Sequence, residues 1–153
     1  MMEKILVAVD GSKHSQKALE YAIGLTEKFD GKITVINVYS IVVPQVQPID
    51  GLSTPILSGT SAAIAVKIAE DAKRRGEQVL AECEQFAKAR GVSVEKVLRE
   101  GDAVNEIVAE AKEGKFDLVV VGHRGMSKLK ELFLGGVSEG VSHKAPCPVL
   151  IVK

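Results

Sequence analysis

The chain has no surplus of either charge: twenty Lys and Arg face twenty Asp and Glu, for a formal net charge of zero and a pI near 6.8. No bulk field draws such a chain to a polyanion, and nucleic acid is not the expected partner. Long apolar runs are also missing. Charged residues interrupt every hydrophobic stretch well short of the roughly 18 residues that a bilayer span needs, so no membrane association is expected. Met1 to Val9 has neither the long apolar stretch nor the small-residue cleavage site of a signal peptide, and a cytoplasmic protein is expected. Cysteine is scarce. Cys83 and Cys147 stand singly, away from any metal-ligand spacing, and a chain of 153 residues buries a core without a disulfide staple. Both are read as reduced and structural, and no metal site is expected.

What is present, 46% apolar and 26% charged residues, is the composition of a globular domain, and the length suits one domain over residues 1–153. Short apolar runs rich in β-branched residues stand at Ile5 to Val9, Ile33 to Val38, Leu118 to Val121 and Val149 to Val152. They read as strands buried on both faces. A fifth, Val92 to Leu98, mixes apolar and charged residues, as an edge strand does. Between the strands lie helical patterns. From Ser15 to Phe29 the residues Ala18, Leu19, Ala22, Ile23, Leu25 and Phe29 form one stripe, which Gly31 would end. A long second helix, from about Thr60 to Arg90, has Ile64, Ile68, Val79, Leu80, Cys83 and Phe86 on its apolar side, with a bend expected at Gly76 and a stop at Gly91. Ala103 to Lys112 and Val137 to Lys144 complete the order βαβαβαβαβ. Alternation of this kind predicts an open parallel α/β sandwich, with ligands beyond the carboxyl ends of the strands where strand order reverses. Those ends are Asp10-Gly11-Ser12, Val38-Tyr39-Ser40, Gly101-Asp102 and Gly122-His123-Arg124-Gly125.

The most informative stretch is Val121-Gly122-His123-Arg124-Gly125, then nine residues, then Gly135-Gly136-Val137-Ser138 opening the last helix. Glycines let backbone N–H groups approach an anion, the helix start adds unpaired donors, and Arg124 offers a charge-assisted contact. The alternative is that these are turn glycines and a helix start with no ligand. Neither the P-loop nor the dinucleotide fingerprint fits. Asp10 has two readings as well: a ligand-binding carboxylate, or the turn that leads into a helix. Ser12 reads as a cap or a phosphate neighbour. His14 and His123 read as loop residues rather than an acid/base pair, because no second titratable group stands at a recognisable spacing. His143 complements a helix dipole. Lys73-Arg74-Arg75 reads as a solvated face.

In these features the sequence resembles the universal stress protein family. The likeness spans Ile5 to Ser12, Val35 to Val38 and Val119 to Val152, and includes Gly-x2-Gly-x9-Gly and the lead Ala145-Pro146-Cys147-Pro148 into the last strand. It implies a Rossmann-like three-layer sandwich on a five-stranded parallel sheet of order 3-2-1-4-5. It implies ATP or another adenine nucleotide as ligand, with or without Mg²⁺. Asp10 would take the ribose hydroxyls, Val9 and Val38 would line the adenine slot, and Gly122, Arg124, Gly125, Gly135, Gly136, Val137 and Ser138 would wrap the phosphates. One position departs from the family pattern. Many members carry Ser or Thr directly after the third glycine, where this chain has Gly136, so a hydroxyl donor is lost that Ser138 would have to replace. The resemblance also implies a homodimer in which the last strands meet antiparallel.

The expected function is an adenine-nucleotide-binding stress-response module, a dimeric switch read by an unidentified protein partner. It is not expected to be an enzyme, since no Mg²⁺ carboxylate or base stands beyond Asp10. A slow ATPase and a nucleotide-free interaction protein are the alternatives. The apolar, proline-containing segment Ser40 to Ser58 is expected to be a lid or a subunit contact.

Overall fold

The computed structural model describes residues 2–42, 56–124 and 135–153, so the expected lid and Gly125 lie outside the described residues, apart from the ends of the lid segment. The described residues form β1 (Lys4–Ala8), α1 (Lys13–Phe29), β2 (Lys32–Tyr39), α2 (Ile56–Lys88), β3 (Val94–Glu100), α3 (Ala103–Glu113), β4 (Leu118–Gly122), α4 (Gly136–Lys144) and β5 (Val149–Val152). All strand pairs are parallel, in the order β3-β2-β1-β4-β5. That is the order the resemblance implied, with the reversal between β1 and β4.

The period of two along each strand sorts its side chains between two helical layers. Ile5, Val7, Ile33, Val35, Leu118 and Val120 point to one face, where Ala18, Leu19, Ala22 and Ile23 of α1 and Leu80 and Ala87 of α2 cover them. Leu6, Ile36, Val119 and Val121 point to the other, under Ile107 and Ala111 of α3 and Val141 of α4. The register keeps the apolar residues opposed, Ile5 beside both Ile33 and Leu118, and Val7 beside both Val35 and Val120. β3 and β5 are the sheet edges. Val149, Leu150 and Ile151 of β5 remain half-buried in the single chain.

Four details differ from the sequence expectations. α1 starts at Lys13, because Ser12 already caps it by accepting the Ser15 N–H at 3.2 Å. Its end is made by Asp30, which takes the left-handed conformation at φ 52°, and not by Gly31. α2 is one helix through Gly76, where an added Cβ would lie 2.6 Å from Asn37 Oδ1 and 2.7 Å from Leu98 Cδ1, so glycine there permits close helix–sheet contact. Phe29 and Ile64, expected in buried stripes, are 54% and 53% exposed. A period of 3.6 names a side of the helix, but it does not say how far the sheet beneath it extends.

One buried polar tie bears on the site. Asn37, inside β2, donates from Nδ2 to the Val9 carbonyl at 2.8 Å, and the Val9 N–H donates to Ile36 O at 2.9 Å. Together they hold the chain just before Asp10. Asn37→Ala strands a buried carbonyl and opens a small void, and is expected to cost about 2 kcal/mol. Chemical denaturation is the check, and an unchanged midpoint would show that the tie contributes nothing.

Candidate functional site

At the carboxyl ends of β2, β1 and β4, on the α3/α4 face, lies a cavity of about 480 Å³. β1 and its extension supply Ala8, Val9 and Asp10, β2 supplies Ile36 and Val38, and β4 with its following turn supplies Val121, Gly122 and Arg124. The start of α3 contributes Asp102, Ala103 and Val104, with Ile107 one turn on, while Gly135, Gly136, Val137 and Ser138 come from the start of α4. Of the ten residues assigned to the site from sequence, nine line this one cavity. The tenth, Gly125, lies outside the described residues.

Each wall has a local cause. Asp10 follows β1 and accepts the Ser12 N–H on Oδ1 at 2.9 Å, and its own N–H points to Ser15 Oγ at 3.3 Å. The turn reading of Asp10 is therefore correct as local structure. It leaves the carboxylate on the cavity wall all the same. Gly122 closes against α1: a Cβ there would sit 2.7 Å from the His14 carbonyl carbon and 2.8 Å from its oxygen. The next turn is tied at both ends, since the His123 N–H donates to Val152 O at 2.7 Å and its carbonyl accepts from Gly135 N at 2.9 Å. Ser138 Oγ lies 3.0 Å from the same His123 carbonyl and 2.9 Å from Gly135 O. Its single proton serves those carbonyls, so the hydroxyl does not replace the donor absent at Gly136. No side chain caps α4 at Gly135, and the helix itself offers no acceptor for the N–H groups of Gly136, Val137 and Ser138. Those donors and the helix dipole suit an anion.

The side toward β2 is different in character. Ile36, Val38, Ala103, Val104 and Ile107 make an apolar wall, with Asp102 at its rim. Asp102 N-caps α3 by accepting the Asn105 N–H at 2.9 Å. The sequence reading marked Gly101-Asp102 as a strand end but missed α3 as a wall of the cavity. The parallel sheet order, with α3 crossing back over β2, was the available signal. A flat apolar slot beside a carboxylate and a set of free backbone donors can hold a molecule with a planar base, vicinal hydroxyls and phosphates, and the volume lies in the usual range for small-ligand sites.

His14 lies in the first turn of α1 and not in a loop, and its ring stands 6.3 Å, centroid to centroid, from that of His123. The fold thus brings together two titratable groups that no spacing in the sequence connects. Loss of hydration, then Arg124, Lys153 and His14, hold the His123 imidazolium below its usual range. Burial, then Glu82, pushes the Cys83 thiol up to about 11, and burial raises that of Cys147 also, so both free cysteines are poor nucleophiles. Among the described residues no group of three or more His, Cys, Asp or Glu could hold a metal ion, and no helix is long and apolar enough to cross a membrane.

An open parallel sheet with a cavity at its switch point is the architecture of a small-ligand-binding α/β domain. The universal stress protein family matches residues 1–153, and the chain belongs to that family. Universal stress protein YxiE of Bacillus subtilis is 35% identical to it over 153 residues, the full length of both chains. A universal stress protein solved in complex with cAMP is 28% identical, with a TM-score of 0.68 over 99% of this chain and 97% of that one. A family protein from Arabidopsis thaliana with AMP bound has a TM-score of 0.64 over 99% of this chain and 91% of its own. Its identity is 21%, and that likeness speaks for the fold alone.

Proposed function

We propose that the protein is a cytoplasmic adenine-nucleotide-binding module of the stress response, working as a homodimer whose loaded state a protein partner reads. The observation that carries this reading is the convergence of Asp10, the apolar slot at Val9 and Val38, and the glycine-flanked donors of Gly122 and Gly135 to Ser138 on one cavity. The cAMP held by the structural relative that is 28% identical to this chain supports the ligand class. The base lies against Val38 and Val104, the ribose hydroxyls donate to Asp10, and the phosphates meet the α4 N–H groups and Arg124. Dimerisation through β5 is supported by its place at the sheet edge and its half-buried Val149, Leu150 and Ile151. A binding role rather than turnover is supported by the acids on the described wall, Asp10 and Asp102, since the ribose engages one and the α3 cap the other.

The direct test is to purify the protein without added nucleotide, denature it, and identify released small molecules by mass spectrometry. About one adenine nucleotide per chain is expected. An empty extract together with no calorimetric response to millimolar Mg-ATP would overturn the reading.

Gly136 gives a second test. Among the described residues an added Cβ there meets nothing within 4 Å, so they leave room for a side chain at this position. Gly136→Ser restores a hydroxyl at the first turn of α4 and is expected to tighten nucleotide binding about two- to twelvefold, the worth of one neutral hydrogen bond. Equal affinity in calorimetry would show that the phosphates do not reach α4.

A further inference from the structure

Beside the glycine turn lies a pair of histidines, His123 and His14, that the nucleotide reading leaves unused. His123 sits between Gly122 and Arg124, both on the cavity wall. Its backbone is held by Val152, Gly135 and Ser138, as described above, so its main chain is fixed beside that wall, although His123 is not itself a lining residue. His14 stands behind it with the two rings tilted by 54°, and the Gly122 contact with the His14 backbone fixes their spacing. Nδ1 of His14 is buried without a hydrogen-bond partner. The charges that bear on His123 are His14 from α1, Arg124 from its own turn and Lys153 from the end of β5. The carboxylates on the described cavity wall, Asp10 and Asp102, belong to β1's extension and to the start of α3.

We propose that His123, with His14 behind it, sets how strongly this site prefers a nucleoside polyphosphate to a monophosphate, by taking up a proton when a multiply charged phosphate chain binds against the Gly122–Arg124 turn. The inference rests on the nucleotide reading above. Without ligand, loss of hydration and then the charges of Arg124 and Lys153 oppose protonation of His123. A phosphate chain brings the opposite field and favours the imidazolium, and a triphosphate does so more than a monophosphate. By linkage, a ligand that promotes proton uptake binds more tightly as pH falls. The ratio of ATP to AMP affinity is therefore higher at about pH 6 than at about pH 8, where His123 stays neutral. One more protein charge near the phosphate chain is worth roughly three- to tenfold on that ratio.

The experiment is calorimetry on the full chain with ATP and with AMP at both pH values, for the wild type, His123→Asn and His123→Lys. Each ligand's own phosphate titration is common to the three proteins and cancels between them. The Asn variant is expected to show a lower ratio with the pH dependence removed, and the Lys variant a high ratio that is independent of pH. A merely structural role for His123 would not be rescued by lysine. Wild-type binding in buffers of different ionisation enthalpy at about pH 7.5, where the ligands' phosphates are nearly ionised, needs no variant. Greater proton uptake with ATP than with AMP is expected there, and equal uptake overturns the proposal. Nucleotide binding with the same ratio and pH dependence in wild type and the Asn variant overturns this inference alone. No binding of either nucleotide by the wild type overturns the nucleotide reading with it.

Discussion

Alanine at Gly122 is expected to destabilise the folded chain by roughly 3 kcal/mol, the upper end of the range for forcing a methyl group into filled space. The new Cβ would lie 2.7 Å from the His14 carbonyl carbon, 2.8 Å from its oxygen and 2.9 Å from its Cβ. These are atoms of a helix's first turn, with no flexible end to swing aside, so α1 or β4 must move. α1 is held by the Ser12 cap and by Leu19, which is 1% exposed in the core. β4 is held on both sides, with Val119 and Val120 beside Leu6 and Val7 of β1 and Gly122 beside Val152 of β5. Neither yields cheaply. For a domain of this length, such a loss corresponds to a fall in Tm of about 6–12 °C, measurable by calorimetry or by urea unfolding. A variant that melts with the wild type would mean that the β4–α1 contact relaxes freely, and Gly122 would then owe its place to the ligand alone.

That prediction separates two causes the sequence left mixed. Gly-x2-Gly-x9-Gly reads equally as a phosphate cradle and as turn glycines, because both need a missing Cβ. The structure divides them by position. At Gly122 the fold itself requires glycine, whereas at Gly136 no described residue crowds the position and their packing makes no demand. The strands were legible because burial on both faces makes them short, apolar and β-branched, and the helices because one apolar stripe faces the sheet. Strand order was not in the residues at all. It came with the family likeness, since local pattern does not record which strand lies beside which. The same limit hid Ala103, Val104 and Ile107 of α3 as a wall of the cavity, and it hid His14 beside His123, which the β1–β4 pairing brings together. Ile64 and Phe29 failed for a related reason: the period of 3.6 names a side of the helix but not what covers it, and both are more than half exposed.

Replacing Asp10 is expected to have the largest effect on binding, and the choice of replacement decides what is learned. Two features of Asp10 matter for the choice: Oδ1 accepts the Ser12 N–H at 2.9 Å, and Asp10 stands on the cavity wall. Asp10→Ala removes both, so a loss of binding in that variant alone could follow from a disturbed turn. Asp10→Asn keeps an oxygen for Ser12 and removes the charge. If the ribose hydroxyls donate to Asp10, two charge-assisted hydrogen bonds vanish in the alanine variant, a loss of about 3 kcal/mol or about 100-fold in affinity. The asparagine variant should fold as the wild type does and lose about tenfold, because one amide group cannot cap the turn and accept from both hydroxyls. Calorimetry paired with urea unfolding separates the outcomes. Weak binding with an unchanged unfolding midpoint in Asp10→Asn assigns the carboxylate to the ligand. Wild-type affinity in Asp10→Asn, with loss only where Asp10→Ala also destabilises the chain, would reduce Asp10 to a turn residue and move the nucleotide's anchor to the α4 donors.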